Sequence, residues 1–439
     1  MRWNLKKILF FGFFFGLIWV LVFYTSYIEV PRIIPAKKNV IELENRIDSL
    51  EKKMDEQLAD SSILLQKVKN HMKKKSDSGV VNAVEDREKI NLQGKVFKML
   101  PVLVIACDRV TVKRCLDNLV KFRPSQETFP IIVSQDCGHN ATYQVIKSFV
   151  DSDPTISVVT QPDLSEIPLP KPKVKFRGYY KIARHFKFAL NYVFRTLGHE
   201  AVIIVEDDLD ISPDFFEYFL GTYPLLHRDP SLWCISAWND NGKNNVIDMS
   251  RTDLLYRTDF FPGLGWMLLQ DMWLKLDEKW PPAFFDDWLR NPQNIEHKAC
   301  IRPEISRTYS FGKIGVSKGL FFDKHLRNIQ LNLEYVEFTK LNLTYLLKEN
   351  YDEALTSLVY SLPELTAEEV LSETSSKPAR VSYTDAASYR RNAKKLGLMD
   401  DFRSGVPRTA YRGIVTCFVR NRRVYLAPQA WHGYDPNWG

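Results

Sequence analysis

The sequence predicts an α/β fold in which helices cover a parallel sheet, followed by a smaller α+β domain. One observation is a set of apolar runs typical of strands buried on both faces: "PVLVIAC" (101–107), "FPIIVSQDC" (129–137), "ISVVTQ" (156–161) and "AVIIVEDD" (201–208). The other is "DRVTVKRCLDNLVKF" (108–122), which lies between the first two runs and has the apolar spacing of an amphipathic helix. Strand, helix and strand within roughly 30 residues predict a βαβ unit.

The N-terminal segment predicts a membrane anchor. Residues 8–28, "ILFFGFFFGLIWVLVFYTSYI", carry no charge and are long enough to span a bilayer, and they follow three basic residues. All six cysteines and the two sequons, at Asn140 and Asn342, lie beyond residue 106. We therefore expect a cytosolic tail at 1–7, an uncleaved signal anchor, and a single-pass type II topology with the remainder in a lumen.

A charged stem follows at 29–97. Apolar residues with heptad spacing suit a dimerising coiled coil, and the same pattern suits a solvated helical stalk. We favour the stalk and keep a dimer through the stem as an alternative. The heptad positions are Val40, Leu43, Ile47, Leu50 and Met54.

The rest of the chain divides by composition. We predict a main domain at 98–312, a glycine-bearing connector at 313–349 and a C-terminal domain at 350–439, which ends in the strands "GIVTCFVR" and "RRVYLAP". The net charge of +7 is modest for 439 residues, and basic residues alternate with acidic ones. This composition disfavours nucleic-acid binding.

Three consecutive acids, Glu206, Asp207 and Asp208, follow the fourth predicted strand directly. Open sheets bind ligands at the carboxyl ends of their strands, and crowded carboxylates favour a compensating cation such as Mg²⁺ or Mn²⁺. A metal that holds a diphosphate is one interpretation. The other is an acidic helix N-terminus, with Ser212 as N-cap and Pro213 in the first turn. That cap does not explain acids placed on the strand itself. No G-x-G-x-x-G follows the first strand and no P-loop occurs, which disfavours dinucleotide and NTPase sites.

Many separate motifs resemble those of glycosyltransferase family 13, the N-acetylglucosaminyltransferase I family. They occur in family order from about residue 98 to the C-terminus: "LVIACDR", "FPIIVSQDCGH", "GYYKIARH", "VEDDLDISPDFFEYF", "LWCISAWNDNG", "YRTDFFPGLGW", "RPEISRT", "SGVPR", "YRGIVT" and "RRVYLAP". The anchor and stem resemble those of the family only in their general type, and no specific motif there matches.

The resemblance implies a GT-A catalytic domain that uses UDP-GlcNAc and Mn²⁺ at the Golgi membrane. The expected reaction is inverting transfer of GlcNAc, in beta-1,2 linkage, to the alpha-1,3-mannose arm of a high-mannose N-glycan on glycoproteins, which starts hybrid and complex N-glycans. Asp208 would ligate Mn²⁺, while Asp207 and Glu206 would contact the ribose and the sugar of the donor.

Inversion requires a base that takes the proton of the acceptor hydroxyl. The motif "FFDDW" offers Asp286 and Asp287. By resemblance Asp286 is the base, and we assign Asp287 a structural role in capping the following helix.

The same resemblance implies a uridine pocket formed by Arg109, Asp136 and His185, and a donor-contacting loop that contains Ser317. Arg109 alone would be an ordinary surface arginine, and His185 alone an ordinary core or surface histidine. The loop would order over the bound nucleotide-sugar and exclude water.

Cysteine positions agree with the resemblance. Cys107 and Cys137 end two strands predicted to be neighbours, close enough for a disulfide. Spacing alone does not select among the possible pairings. The family implies the disulfides Cys107–Cys137 and Cys234–Cys300 and two free thiols, Cys115 and Cys417.

Three rival functions remain. A sister enzyme adds GlcNAc in beta-1,2 linkage to O-linked mannose, but it carries a lectin-like stem domain for which 30–95 is too short. A non-catalytic Golgi glycan-binding protein would not need to keep Asp208 and Asp286. A metal-dependent phosphohydrolase would need further ligands, and the eight histidines show no metal-ligand spacing.

Overall fold

The computed structural model describes residues 99–313, Gly315, Gly319 and 322–431. The predicted tail, anchor and stem lie outside the described residues, as does Ser317. Within the described part of the chain, no helix combines the length and apolar character that a bilayer crossing requires.

The described residues form a mixed α/β fold. The strands are β1 Val102–Ala106, β2 Ile131–Gln135, β3 Ile156–Thr160, β4 Ala201–Glu206, β5 Leu209–Ile211, β6 Leu232–Ser236, β7 Leu255–Thr258, β8 Trp266–Leu269, β9 Ala299–Pro303, β10 Thr308–Ser310, β11 Ala379–Tyr383, β12 Phe402–Arg403, β13 Val406–Pro407, β14 Val415–Val419 and β15 Arg422–Pro428. The α-helices are α1 Val112–Phe122, α2 Asn140–Ser152, α3 Arg177–Asn191, α4 Phe215–Arg228, α5 Gln270–Asp277, α6 Phe285–Leu289, α7 Lys348–Ser361, α8 Ala367–Ser372 and α9 Ala386–Leu396.

An eight-stranded sheet has the order β3-β2-β1-β4-β8-β6-β9-β7. The four strands predicted from the sequence, β1 to β4, pair in parallel and confirm the βαβ unit. The predicted all-parallel sheet is only partly right, because β8 enters antiparallel between β4 and β6 and β7 pairs antiparallel with β9. Since β4 and β6 both run opposite to β8, they are parallel to each other, and their carboxyl ends share one edge.

Strand alternation divides the core into two layers. Val102 and Val104 of β1 face a cluster that includes α1, α2 and α4, whereas Leu103 and Ile105 face a cluster that includes α3 and α5. Strand β1 is thus apolar on both faces, as a parallel strand between helices requires.

Helix α4 does not begin where the sequence predicts. The prediction of Ser212 as N-cap is wrong, because Asp214 occupies the cap position and the helix begins at Phe215. Strand β5 pairs with β10, and the Ser212 amide still donates to the Arg307 carbonyl (2.9 Å). This pairing keeps the chain extended past Ser212.

The second half of the predicted connector packs against α4. Phe338 is fully buried, and a Cβ on Gly221 of that helix would lie 2.6 Å from the Phe338 backbone. Gly221 therefore allows this close approach.

The C-terminal residues form a second sheet of order β11-β15-β14, which packs on α8 and α9. Its last two strands confirm the two strands predicted at the C-terminal end of the sequence. The Phe418 amide donates to the Val246 carbonyl (2.8 Å), joining this sheet to the loop after β6.

Candidate active site

Strands β1, β2 and β4 deliver the predicted polar residues to one edge of the sheet. The Asp136 amide donates to the Ala106 carbonyl (2.9 Å), and the Asp207 amide donates to the Ile105 carbonyl (3.0 Å). Glu206 lies opposite Ile105 in the β1–β4 register. The acids after β4 therefore lie beside the ends of β1 and β2.

Arg109, from the loop after β1, pairs with two of these acids. Its Nη1 donates to Asp208 Oδ2 (2.8 Å) and its Nη2 pairs with Asp207. Asp207 is almost fully buried, and its other carboxylate oxygen, Oδ2, has no hydrogen-bond partner among the described residues.

The acidic cluster raises carboxyl pKa values. Burial and the charges of Asp208 and its neighbours raise the pKa of Glu206 to about 8, and Asp286 contributes to this rise. Burial also raises the pKa of Asp207 to about 6, although Arg109 acts in the opposite direction. Glu206 and Asp207 are therefore easier to protonate than ordinary carboxyls.

The chain after β10 closes over Asp208. The Phe311 amide donates to the Asp208 carbonyl (2.9 Å), and a Cβ on Gly312 would lie 1.8 Å from Asp208 Oδ2. Only glycine fits at 312 with this carboxylate in place. The sequence pattern gives no sign of this contact.

His185 and Asp136 are buried polar residues beneath the edge. His185 Nε2 lies 2.9 Å from Ser134 Oγ, and both His185 and Asp136 are buried. Burial lowers the pKa of His185 to about 4, against the opposing charge of Asp136. The imidazole is therefore neutral at physiological pH.

Helix α6 carries the predicted base. Arg290 Nη1 lies 3.0 Å from Asp286 Oδ2 and 2.9 Å from Asp287 Oδ1, and Arg403 Nε lies 3.1 Å from Asp287 Oδ1. The Asp286 side chain is 45% exposed, which leaves it accessible to an acceptor. Capping by Asp287 is a wrong prediction, because Phe284 precedes the helix in a left-handed conformation; Asp287 instead joins Arg290 to Arg403.

A divalent cation fits the charges of this edge. Three consecutive carboxyl side chains, those of Glu206, Asp207 and Asp208, lie here, and a buried oxygen of Asp207 lacks a partner within the described chain. In that same part of the chain, no three His, Cys, Asp or Glu side chains are grouped as a complete metal site. Water and bound phosphate would therefore supply the remaining ligands of a cation at Asp208.

One ion-pair group beside the site has no counterpart in the sequence predictions. Arg114 Nε donates to Asp210 Oδ1 (2.8 Å), and Asn118 Nδ2 donates to the same oxygen (2.9 Å). These contacts hold α1 against β5. Helical spacing places Arg114 and Asn118 on one face, but their partner lies more than 90 residues away.

The cysteines follow the implied pairing. Cys107–Cys137 and Cys234–Cys300 are disulfides, with Cα–Cα distances of 5.2 and 4.6 Å. Cys115 and Cys417 are free and buried. Burial raises the pKa of the Cys115 thiol well above its ordinary range, so this cysteine packs as a neutral side chain beneath Glu206.

Comparisons with known proteins place the chain among glycosyltransferases. The GNT-I family profile matches residues 7–438. An Arabidopsis thaliana protein named alpha-1,3-mannosyl-glycoprotein 2-beta-N-acetylglucosaminyltransferase is 36% identical over 339 residues, which cover 76% of this chain and 75% of that protein.

Solved structures resemble the chain more weakly. The mannosyltransferase PcManGT from Pyrobaculum calidifontis, in complex with GDP-Man and Mn²⁺, is 15% identical with a TM-score of 0.29, and the match covers 41% of this chain and 46% of that one. TarS 1–349 from S. aureus is 13% identical with a TM-score of 0.34, and the match covers 49% and 61%. The chain thus spans less than two thirds of either structure, and neither score supports an argument about function.

Proposed function

The chain belongs to the GNT-I family, and from this premise we propose that it is an inverting, Mn²⁺-dependent UDP-GlcNAc transferase. It moves GlcNAc in beta-1,2 linkage to the alpha-1,3-mannose arm of a high-mannose N-glycan on a glycoprotein, which starts hybrid and complex N-glycans. The observation that carries the proposal is the position of Glu206, Asp207 and Asp208 beside the ends of β1 and β2, at one edge of the sheet. This is where open α/β sheets bind ligands.

The donor site uses the acids in different ways. Asp208 would hold the metal, and a Mn²⁺ ion bound there would supply positive charge that neutralises the departing diphosphate. Glu206 and Asp207 contact the sugar and the ribose.

The uridine end of the donor is assigned to Arg109, Asp136 and His185, with Ser317 in the loop that covers the donor. A neutral His185 adds hydrogen-bonding capacity without adding charge. Arg109 is paired with Asp207 and Asp208, and because a guanidinium carries five N–H groups, these ion pairs are compatible with a contact to the nucleotide.

Asp286 is the general base. Its carboxylate takes the proton from the mannose hydroxyl as that oxygen bonds to the anomeric carbon and the bond to the diphosphate breaks. UDP leaves in the same step from the opposite face, so the configuration inverts. Arg290, 3.0 Å from Asp286, orients the carboxylate.

The cellular setting belongs to the same proposal. The charge-free run at 8–28 anchors a type II protein in the Golgi membrane, with the GT-A domain (98–312) and the C-terminal domain (350–439) in the lumen. The two disulfides support an oxidising compartment. The stem allows a dimer, and no nucleic-acid partner is expected.

The test is a transfer assay with the full chain, UDP-GlcNAc and two acceptors, a five-mannose N-glycan and an O-mannosyl peptide. We expect Mn²⁺-dependent transfer to the N-glycan, abolished by a chelator. Transfer to the peptide alone would move the assignment to the sister activity. Donor binding without transfer to either acceptor would indicate a non-catalytic glycan-binding protein.

A further inference from the structure

A second cleft lies apart from the acids, between the loop after β6 and the C-terminal sheet. Its volume is about 740 Å³, within the range of ligand pockets. Three sequence segments wall it: 244–250, the end of α9 at 395–397, and the turn between β14 and β15 at 418–421, together with Leu371.

Three side-chain amides line this cleft, together with Asp248, Ser250, Lys395 and Arg420. Asn244, Asn245 and Asn421 are exposed, and across the described chain none of their side chains has a hydrogen-bond partner. Each amide can both donate and accept hydrogen bonds, as sugar hydroxyls do. This pattern matches a neutral polyhydroxylated ligand.

Charges of both signs line the cleft, where the exposed Arg420 lies with Lys395 and Asp248. Lys395 is paired with Glu368, and Asp248 contributes a carboxylate 3.8 Å from Arg423. Met249 and Phe418 supply an apolar surface against which the C–H face of a sugar can pack.

The turn that presents Asn421 is rigid. Arg420 and Asn421 connect β14 to β15 with φ angles of 50° and 60°, the left-handed pair of a tight hairpin. The two strands on either side hold this turn at the cleft wall, so Asn421 is presented by a fixed backbone.

One wall of the cleft belongs to a loop that begins at the sheet edge where the candidate active site lies. The loop 237–254 follows β6, whose carboxyl end shares an edge with that of β4. Strands β4 and β6 are two positions apart in the sheet, which corresponds to a distance of about 10 Å between them.

A chain segment also connects the two places. Gly397, at the cleft, is six residues from Arg403, which contacts Asp287 beside the proposed base (3.1 Å). Six residues span at most about 22 Å. A branched oligosaccharide can cover that distance.

From this placement we infer that the cleft is a second subsite for the acceptor glycan, which binds a mannose branch other than the one that receives GlcNAc. The inference rests on the proposed function. It assigns to the C-terminal domain a role in recognising large acceptors, while short acceptors need only the site at Asp286.

The test compares KM for the five-mannose glycan with KM for a mannose disaccharide too short to reach the cleft. The full chain is assayed as wild type, as the double variant Asn244→Ala/Asn421→Ala, and as Asn350→Ala, which alters an exposed amide on α7. The double variant is expected to raise KM for the large glycan about fivefold, because that is the effect of losing one net hydrogen bond. Its KM for the disaccharide should not change. Asn350→Ala is expected to match wild type for both.

Unchanged KM for the large glycan, or an equal increase for both acceptors, would overturn the subsite. If wild type transfers to neither acceptor, the proposed function fails first. Calorimetric titration of five-mannose glycan into wild type and the double variant then tests, independently of transfer, whether the cleft binds the glycan. Weaker binding by the double variant supports the subsite, and equal or undetectable binding by both proteins overturns it.

Discussion

Replacing Glu206 by glutamine is expected to stabilise the fold in a pH-dependent way. The pKa of Glu206 is about 8 in the fold against an ordinary value of 4.5. Because the folded-state value is the higher one, the contribution of this carboxyl to stability is fully present below pH 4.5 and is lost as the pH rises towards 8. A glutamine side chain carries no charge at any of these pH values, so the variant does not incur this loss.

The magnitude follows from the two pKa values. Between these two values, each pH unit lowers the free energy of unfolding by about 1.4 kcal/mol. From pH 4.5 to pH 7 the loss amounts to roughly 3 kcal/mol. For a chain of this size, that corresponds to about 4 °C in Tm.

The assay is thermal unfolding of wild type and Glu206→Gln at pH 5, 7 and 8.5, without metal or nucleotide, at one scan rate. Exposed Glu349→Gln serves as the matched control and is expected to follow wild type. The Tm advantage of Glu206→Gln should be small at pH 5 and should grow with pH. An advantage independent of pH, or a lower Tm at every pH, would refute the reasoning.

Two other variants test the surroundings of the acids. Gly312→Ala should weaken UDP-GlcNAc binding in Mn²⁺ at least about tenfold by displacing Asp208, as measured by calorimetry. Gly315→Ala, whose Cβ would meet Arg109 at an ordinary 3.8 Å, should bind normally, and equal losses would contradict the steric account. Arg290→Gln should lower kcat about tenfold with donor KM unchanged, because Asp286 loses its orienting partner. An unchanged kcat in steady-state assays would remove Arg290 from the mechanism.

Local pattern was enough to predict β1 to β4 and the edge at which the acids lie. Parallel strands buried on both faces leave continuous apolar runs, and Glu206 ends such a run. The place of β8 was not predictable in this way. Its antiparallel pairing depends on contacts with β4 and β6, which are distant in sequence.

In the candidate active site, too, some features follow from local sequence pattern and others depend on residues distant in sequence. The positions of Asp136 and Asp208 follow from strand ends, whereas the ion pairs of Arg109 join residues about 100 positions apart. The Gly312 contact with Asp208 likewise arises only when the chain after β10 folds back. The wrong N-cap at Ser212 has a related cause, because strand pairing overrides a local helix-start signal.

The most direct test of the central claim separates donor binding from transfer. UDP-GlcNAc binding in Mn²⁺ and transfer to the five-mannose glycan are measured for wild type, Asp208→Asn and Asp286→Asn. The account predicts that Asp208→Asn loses donor binding, whereas Asp286→Asn binds the donor like wild type and transfers nothing measurable. Normal binding by Asp208→Asn, or substantial transfer by Asp286→Asn, would contradict it.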